Sequence, residues 1–255
     1  MPLLILFILK GTAVQFSFLI IVLSLLGLYE FCEMALPGKK FESALVIISG
    51  VPVCLAVWTN DFTWLLLAIT LAVLGFSLVS LFRIRDIRQS AGEVALVFLG
   101  VLYIPLLLSH LGLVRGLPFG IEWIFLLLVI VMSGDTAAYY TGSTIGKRKL
   151  YPVVSPNKSV EGSLGGLAGS ILGAFIARGT FFPELSVFDC FAVALLLGCL
   201  GQLGDLFESM LKRSFGVKDS GKLIPGHGGI LDRLDSILFA APAAFFYASF
   251  VFSPA

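Results

Sequence analysis

Long apolar segments follow one another along this chain with little between them, at about 2–10, 13–35, 44–59, 62–82, 93–113, 121–142, 162–178, 187–208 and 234–252. An α-helix rises 1.5 Å per residue, so about 20 such residues cross the roughly 30 Å hydrocarbon layer of a bilayer. The pattern therefore predicts an all-α polytopic membrane protein with about nine transmembrane helices, although the first run is too short for a secure crossing. The composition agrees: 58% of the 255 residues are hydrophobic and 13% are charged, with a mean hydropathy of +1.02.

Charge is placed more tellingly than it is counted. With 17 Lys and Arg against 16 Asp and Glu, the chain is nearly neutral, which excludes a strongly basic nucleic-acid binder. If successive helices alternate across the bilayer, 14 of the 17 positive residues fall in one set of connections: Lys39, Lys40, Arg83, Arg85, Arg88, Lys147, Arg148, Lys149, Lys158, Lys212, Arg213, Lys218, Lys222 and Arg233. The other set holds Lys10, Arg115 and Arg178. Cytoplasmic loops carry this excess, so the basic loops are expected inside and the C-terminus outside. The N-terminus, MPLLILFILKG, lacks a positive n-region and a small-residue cleavage site, and reads as a short membrane segment. Cys32, Cys54, Cys190 and Cys199 stand singly in apolar runs, which argues against zinc and against a disulfide framework. With no tandem repeat and no low-complexity linker, one continuous helical domain is expected.

Ionisable groups inside or beside apolar helices mark the chemistry, because each costs about 2.5–3.5 kcal/mol at bilayer depth. Asp135 sits late in an apolar helix, in MSGDTAAYYTGSTIGKRK, and must face a cavity, a cation, a sugar hydroxyl or a basic partner. In SPNKSVEG, Ser155–Gly162, the proline resists helix at Ser155, and Asn157 and Lys158 precede a glycine-rich helix start that suits a phosphate. Glu161 is either a capping carboxylate or a ligand. Gly165, Gly166 and Gly169 are expected to let helices approach closely.

The richest segment is SMLKRSFGVKDSGKLIPGHGGILDRLD, Ser209–Asp235. On a helix, Asp205, Glu208, Ser209 and Lys212 form one stripe, and Asp232, Asp235 and Ser236 form another. Carboxylates so arranged suit Mg²⁺, which is held by one or two of them together with water and substrate phosphates. Lys212, Arg213, Lys218 and Lys222 can neutralise a triphosphate or a lipid phosphate, and the GHGG turn, Gly226–Gly229, permits positive φ and close backbone approach. His227 is a possible phosphate donor or acid, whereas His110 reads as a structural hydrogen-bonder. The chain has no GxxxxGK[ST], HExxH or GxSxG, so the corresponding ATPase, zinc-protease and serine-hydrolase readings lose their support.

These segments resemble the phosphatidate cytidylyltransferase (CDP-diacylglycerol synthase) family, whose signature SxLKRxxxxKDxGxxIPGHGGxLDRxD is matched throughout Ser209–Asp235. SPNKSVEG, GDTAAYYTG and GDLFES are similar to further family segments, so the likeness covers roughly residues 93–253. It implies N-terminal transmembrane helices over 1–92 and a catalytic transmembrane region over 93–255 with cytoplasmic loops 143–161 and 209–233. It also implies that phosphatidate attacks the α-phosphorus of CTP, giving CDP-diacylglycerol and pyrophosphate for phospholipid synthesis. Mg²⁺ is implied, in a paired metal centre with a second cation, on Asp205 and Asp232. Catalytic roles carry over to Asp205, Asp232, Lys212, Arg213, Lys218, Asp219 and His227. Substrate contacts carry over to Asp135, Ser155, Asn157, Lys158, Glu161, Ser209, Lys222, Gly228, Gly229, Arg233 and Asp235. The expected setting is a homodimer in the bacterial inner membrane, with the polar cavity open to the cytoplasm and no nucleic-acid partner. A CTP-dependent kinase of a polyprenol-type alcohol and an ion-coupled transporter are the competing readings.

Overall fold

A computed structural model describes residues 2–59, 61–83, 86–223, 226 and 228–254. It is helical almost throughout: α1 (Pro2–Lys10), α2 (Ala13–Ala35), α3 (Lys40–Trp58), α4 (Phe62–Phe82), α5 (Ile87–Val101), a π-helical turn (Leu102–Leu106), α6 (Leu107–Gly116), α7 (Gly120–Ile145), α8 (Val160–Thr180), α9 (Val187–Ser214) and α10 (Leu231–Phe250). Among the described residues, seven helices are long and apolar enough to cross a membrane: α2, α3, α4, the continuous Ile87–Gly116 rod, α7, α8 and α9. α1 has nine residues, a rise of only about 13 Å. α10 has twenty, with Asp232, Arg233 and Asp235 near its start. A short antiparallel hairpin pairs β1 (Lys149–Tyr151) with β2 (Ser155–Ser159).

The chain forms two compact units rather than one continuous domain: Met1–Leu113 with Asp219–Arg233, and Val114–Lys218 with Leu234–Ala255. A cut at 92/93 would fall inside α5, within a single rod whose π turn accommodates Pro105 without ending it. The segment 219–233 joins the first unit, where one hydroxyl and two backbone amides of its described residues bond to Glu30 of α2, as described below.

In the first unit, Thr12 and Gln15 form a capping box at the start of α2. The face of α2 carrying Phe16, Ile20, Ser24, Leu28 and Phe31 is buried. Small residues let neighbours close on it: a Cβ added at Gly50 would fall 2.6 Å from Leu28 Cδ1, and one at Gly100 would fall 2.9 Å from Phe31 Cδ1. Lys39 pairs with Glu93, and Arg83 pairs with Glu42 at 3.2 Å. α4 leaves Phe62, Trp64, Leu71 and Leu78 exposed, the surface expected where lipid replaces water as solvent. His110 Nδ1 lies 2.9 Å from the Leu106 carbonyl, the structural hydrogen bond expected of it.

In the second unit, α7 and α8 pack through small residues. A Cβ at Gly165 would strike Thr141, and one at Gly169 would strike Ala137, so these glycines serve close helix packing as predicted. Ser159 caps α8, accepting from Gly162 N at 3.1 Å. Ser186 and Asp189 cap α9 reciprocally, and the Asp189 carboxylate also receives the Tyr247 hydroxyl of α10 at 2.7 Å. Trp123 and Phe182 are fully buried there, edge to face at 5.4 Å. The four cysteines are free, with Cys32, Cys54 and Cys190 buried and Cys199 exposed.

Candidate active site

In the second unit, three helices bring acids together. Asp135 lies on the last turns of α7, Asp205 on α9 and Asp235 near the start of α10, and each is within electrostatic range of the others. Residues so distant in sequence meet because glycines thin the helices beneath them: a Cβ at Gly204 would sit 2.5 Å from the Asp235 carbonyl oxygen. Beside Asp135 is a small pocket lined by Gly134, Ser170, Gly198, Gly201 and Gln202.

The hairpin delivers the counter-charge. Ser155–Ser159 is a strand rather than a loop, and Lys158 projects from it to place Nζ 2.5 Å from Asp205 Oδ2. Ser209, one turn along α9, donates to Asp205 Oδ1 at 3.4 Å. Further along the same α9 stripe lies a second ion pair. Lys212 is buried and pairs with the fully buried Glu208 at 3.1 Å.

Glu161 is bonded to the backbone ahead of the hairpin. Its Oε2 accepts from Lys147 N at 3.0 Å and Arg148 N at 3.1 Å, so it braces the turn that leads into the hairpin. Gln202 donates to the Ser163 carbonyl at 3.1 Å and receives the Ser163 hydroxyl, tying α9 to α8 beside the pocket. Arg213 Nη1 donates to the Val217 carbonyl at 2.9 Å, holding the end of α9. Asn157 and Lys218 are exposed, and Ser155 is half-buried.

In the first unit the segment 219–233 folds around Asp232. Its Oδ2 accepts from Gly229 N at 2.8 Å, Ser220 N at 2.9 Å and Ser220 Oγ at 3.0 Å. Gly226 and Gly228 adopt φ of +74° and +82°, the left-handed turn that GHGG was expected to permit. A Cβ at Gly228 would fall 2.6 Å from Asp232 Oδ2, so the backbone approaches the carboxylate where a larger residue could not. Asp219, Lys222 and Arg233 are exposed. His227 lies outside the described residues.

Two residues escaped the sequence reading. Glu30, on α2, is only 1% exposed and accepts from Ile230 N and Leu231 N at 2.9 Å each and from Ser220 Oγ at 3.0 Å. Ser220 links Glu30 to Asp232. The signal for Glu30 was present, since a carboxylate inside an apolar 23-residue helix raises the same question as Asp135.

The fold defines an all-α polytopic membrane protein. The family model described as the cytidylyltransferase family matches residues 1–251, and the chain belongs to that family. Curated relatives named phosphatidate cytidylyltransferase include one from Bacillus subtilis, 43% identical over 60% of this chain and 58% of its own length. A second, from Staphylococcus epidermidis, is 36% identical over 92% of this chain and 89% of its own. A third, from Staphylococcus aureus, is 36% identical over 87% and 85%. The chain thus spans 58% of the Bacillus relative in their alignment and most of the staphylococcal ones.

Proposed function

We propose that this membrane protein transfers the cytidylyl group of CTP to phosphatidate. A phosphate oxygen of phosphatidate attacks the α-phosphorus of CTP, the bond from that phosphorus to the bridging oxygen breaks, and pyrophosphate leaves. The observation that carries the reading is Lys158 seated on Asp205 within an acidic trio, an exchangeable pair in a site that must accept both a polyanion and a cation. The relatives' shared name supports the same chemistry.

The donor set fits Mg²⁺. Among the described residues, no group of three or more His, Cys, Asp or Glu side chains forms a ready cage. Mg²⁺ does not ask for one, because it keeps waters and is completed by substrate phosphates. Asp205 in the second unit and Asp232 in the first are the proposed cation ligands, and a second cation would belong to the paired centre implied by the resemblance. Bound there, Mg²⁺ would offset the repulsion between two phosphates and the charge that develops during transfer.

The chain's own residues supply the rest. Lys158, released from Asp205, is available to the triphosphate, and the exposed Arg213, Lys218 and Lys222 add positive charge along the same reactive segments. Asp135, Ser155, Asn157 and Asp235 contribute to the nucleotide pocket, with Glu161 supporting it through the hairpin turn. Ser209 steadies Asp205, while Gly228 and Gly229 place backbone beside Asp232, and Arg233 and Asp219 flank it in sequence. The phosphatidate monoester, with a second pKa of about 6, is already largely ionised near neutral pH, so no separate base is required. His227 remains a candidate acid.

The excess of basic residues in one set of loops supports a cytoplasmic site in the bacterial inner membrane, with α10 as a further crossing. A homodimer is part of the same proposal, to be read from the particle mass in detergent. The decisive assay supplies purified protein with phosphatidate, Mg²⁺ and α-labelled CTP. A labelled chloroform-soluble lipid with release of pyrophosphate is expected; release of CDP without labelled lipid would overturn the reading in favour of a kinase.

A further inference from the structure

Glu30 stands far from the signature segment in sequence, yet it holds that segment from beneath. It lies within α2, is 1% exposed, and spends both carboxylate oxygens on groups 190 to 201 residues away. Oε1 accepts from Ile230 N, while Oε2 accepts from Leu231 N and from the Ser220 hydroxyl. The two amides open α10, where the helix leaves its first N–H groups without intrahelical acceptors and carries positive partial charge. A buried carboxylate satisfies both demands.

The Ser220 hydroxyl does more than fill a third place on Glu30. It lies 3.0 Å from Glu30 Oε2 and 3.0 Å from Asp232 Oδ2, and its oxygen also receives Asp232 N at 3.3 Å. One hydroxyl has a single proton, so two carboxylates share it and are kept at a fixed separation. The arrangement leaves little slack, because a Cβ at Gly221 would meet the Glu30 carboxylate and one at Gly229 would collide with both Ser220 and Glu30.

From this geometry we infer that Glu30 is a positioning residue that, through Ser220, sets the orientation of the Asp232 carboxylate for divalent-cation binding. The inference rests on the proposal that Asp232 is a cation ligand. Groups that orient a ligating carboxylate commonly alter metal affinity by about 10- to 100-fold when replaced. Glu30→Gln keeps shape and volume but turns one oxygen into an amide nitrogen, which cannot accept from whichever of the Ile230 and Leu231 N–H groups faces it. Ser220→Ala is the gentler change, since it leaves both Glu30 amide bonds and both amide bonds to Asp232 in place.

The test uses the full chain in detergent micelles and reads bound Mn²⁺ by electron paramagnetic resonance, alongside the Mg²⁺ concentration for half-maximal transfer. Ser220→Ala should weaken Mn²⁺ binding roughly tenfold and Glu30→Gln by tenfold or more, with parallel rises in the Mg²⁺ requirement and little change in the KM for CTP. If Glu30→Gln does not yield folded protein, Ser220→Ala decides alone, because it leaves the anchoring of α10 intact. Asp232→Ala separates the two levels of the argument. Loss of Mn²⁺ binding in Asp232→Ala with wild-type binding in Ser220→Ala would overturn the positioning role alone. Wild-type binding in Asp232→Ala, or none in the unaltered protein, would remove the cation-ligand proposal and this inference with it.

Discussion

The two units of this protein hold their acids by different means. In the first, Glu30 and Asp232 are fixed by backbone amides and one hydroxyl. In the second, Asp205 is held by a lysine on a hairpin, and Glu208 by a lysine one helical turn away. A backbone amide cannot swing away without unfolding its segment, whereas a lysine ammonium on a flexible stem can trade one anion for another. The first arrangement keeps a carboxylate in one pose. The second lets a carboxylate and a cation separate when phosphates and a metal arrive, as the proposed transfer demands of Asp205 and Lys158.

The largest effect should come from the acids themselves. Asp205→Ala and Asp232→Ala are each expected to lower transfer of labelled cytidylyl by roughly 10³-fold, the scale of losing several kcal/mol of charge stabilisation. Retained activity in either would remove that residue from the proposed ligands. Next, Lys158→Ala removes the exchangeable partner and a phosphate-binding cation together. The KM for CTP should rise about tenfold or more, the scale of one charged hydrogen bond, and an unchanged KM would make the Lys158–Asp205 pair structural.

A third change probes the rigid region. Gly229→Ala pushes a methyl group into Ser220 and Glu30, and overpacking of this kind costs about 1–3 kcal/mol. The thermal midpoint in detergent should fall by several degrees with activity falling alongside; a midpoint equal to wild type would mean that the region yields more than its amide bonds imply. The smallest effect belongs to Glu161→Gln. It weakens the brace on Lys147 and Arg148 without touching the acids, so kcat should hold while the KM for CTP rises by less than in Lys158→Ala. A larger loss than that of Lys158→Ala would move Glu161 from brace to ligand.

Much of the candidate site was legible in the linear chain because membrane-embedded charge is expensive wherever it occurs. That argument found Asp135, Asp205, Asp232 and Asp235, and helical spacing found the α9 stripe, since neighbours at i+4 need nothing but a helix. Glu30 lies outside it, since it stands with Glu33 in α2, remote from the clustered charge of the signature. Lys212 forms an ion pair with Glu208 that their own helix supplies, as the i+4 spacing allows. Ser155–Ser159 was read as a loop because a proline resists helix, and the strand it adopts depends on Lys149–Tyr151 as a partner.

Hydropathy and charge along the chain were enough to establish a helical membrane protein, the side of its basic loops as an expectation, and which polar residues needed a reason to exist. Tertiary structure decided who answers whom. Ser220 joins Glu30 to Asp232, and Lys158 meets Asp205, because those meetings depend on how closely glycine-bearing helices approach and where a two-stranded hairpin points. Such distances are set by packing among residues far apart in sequence, and no periodicity within a single helix encodes them.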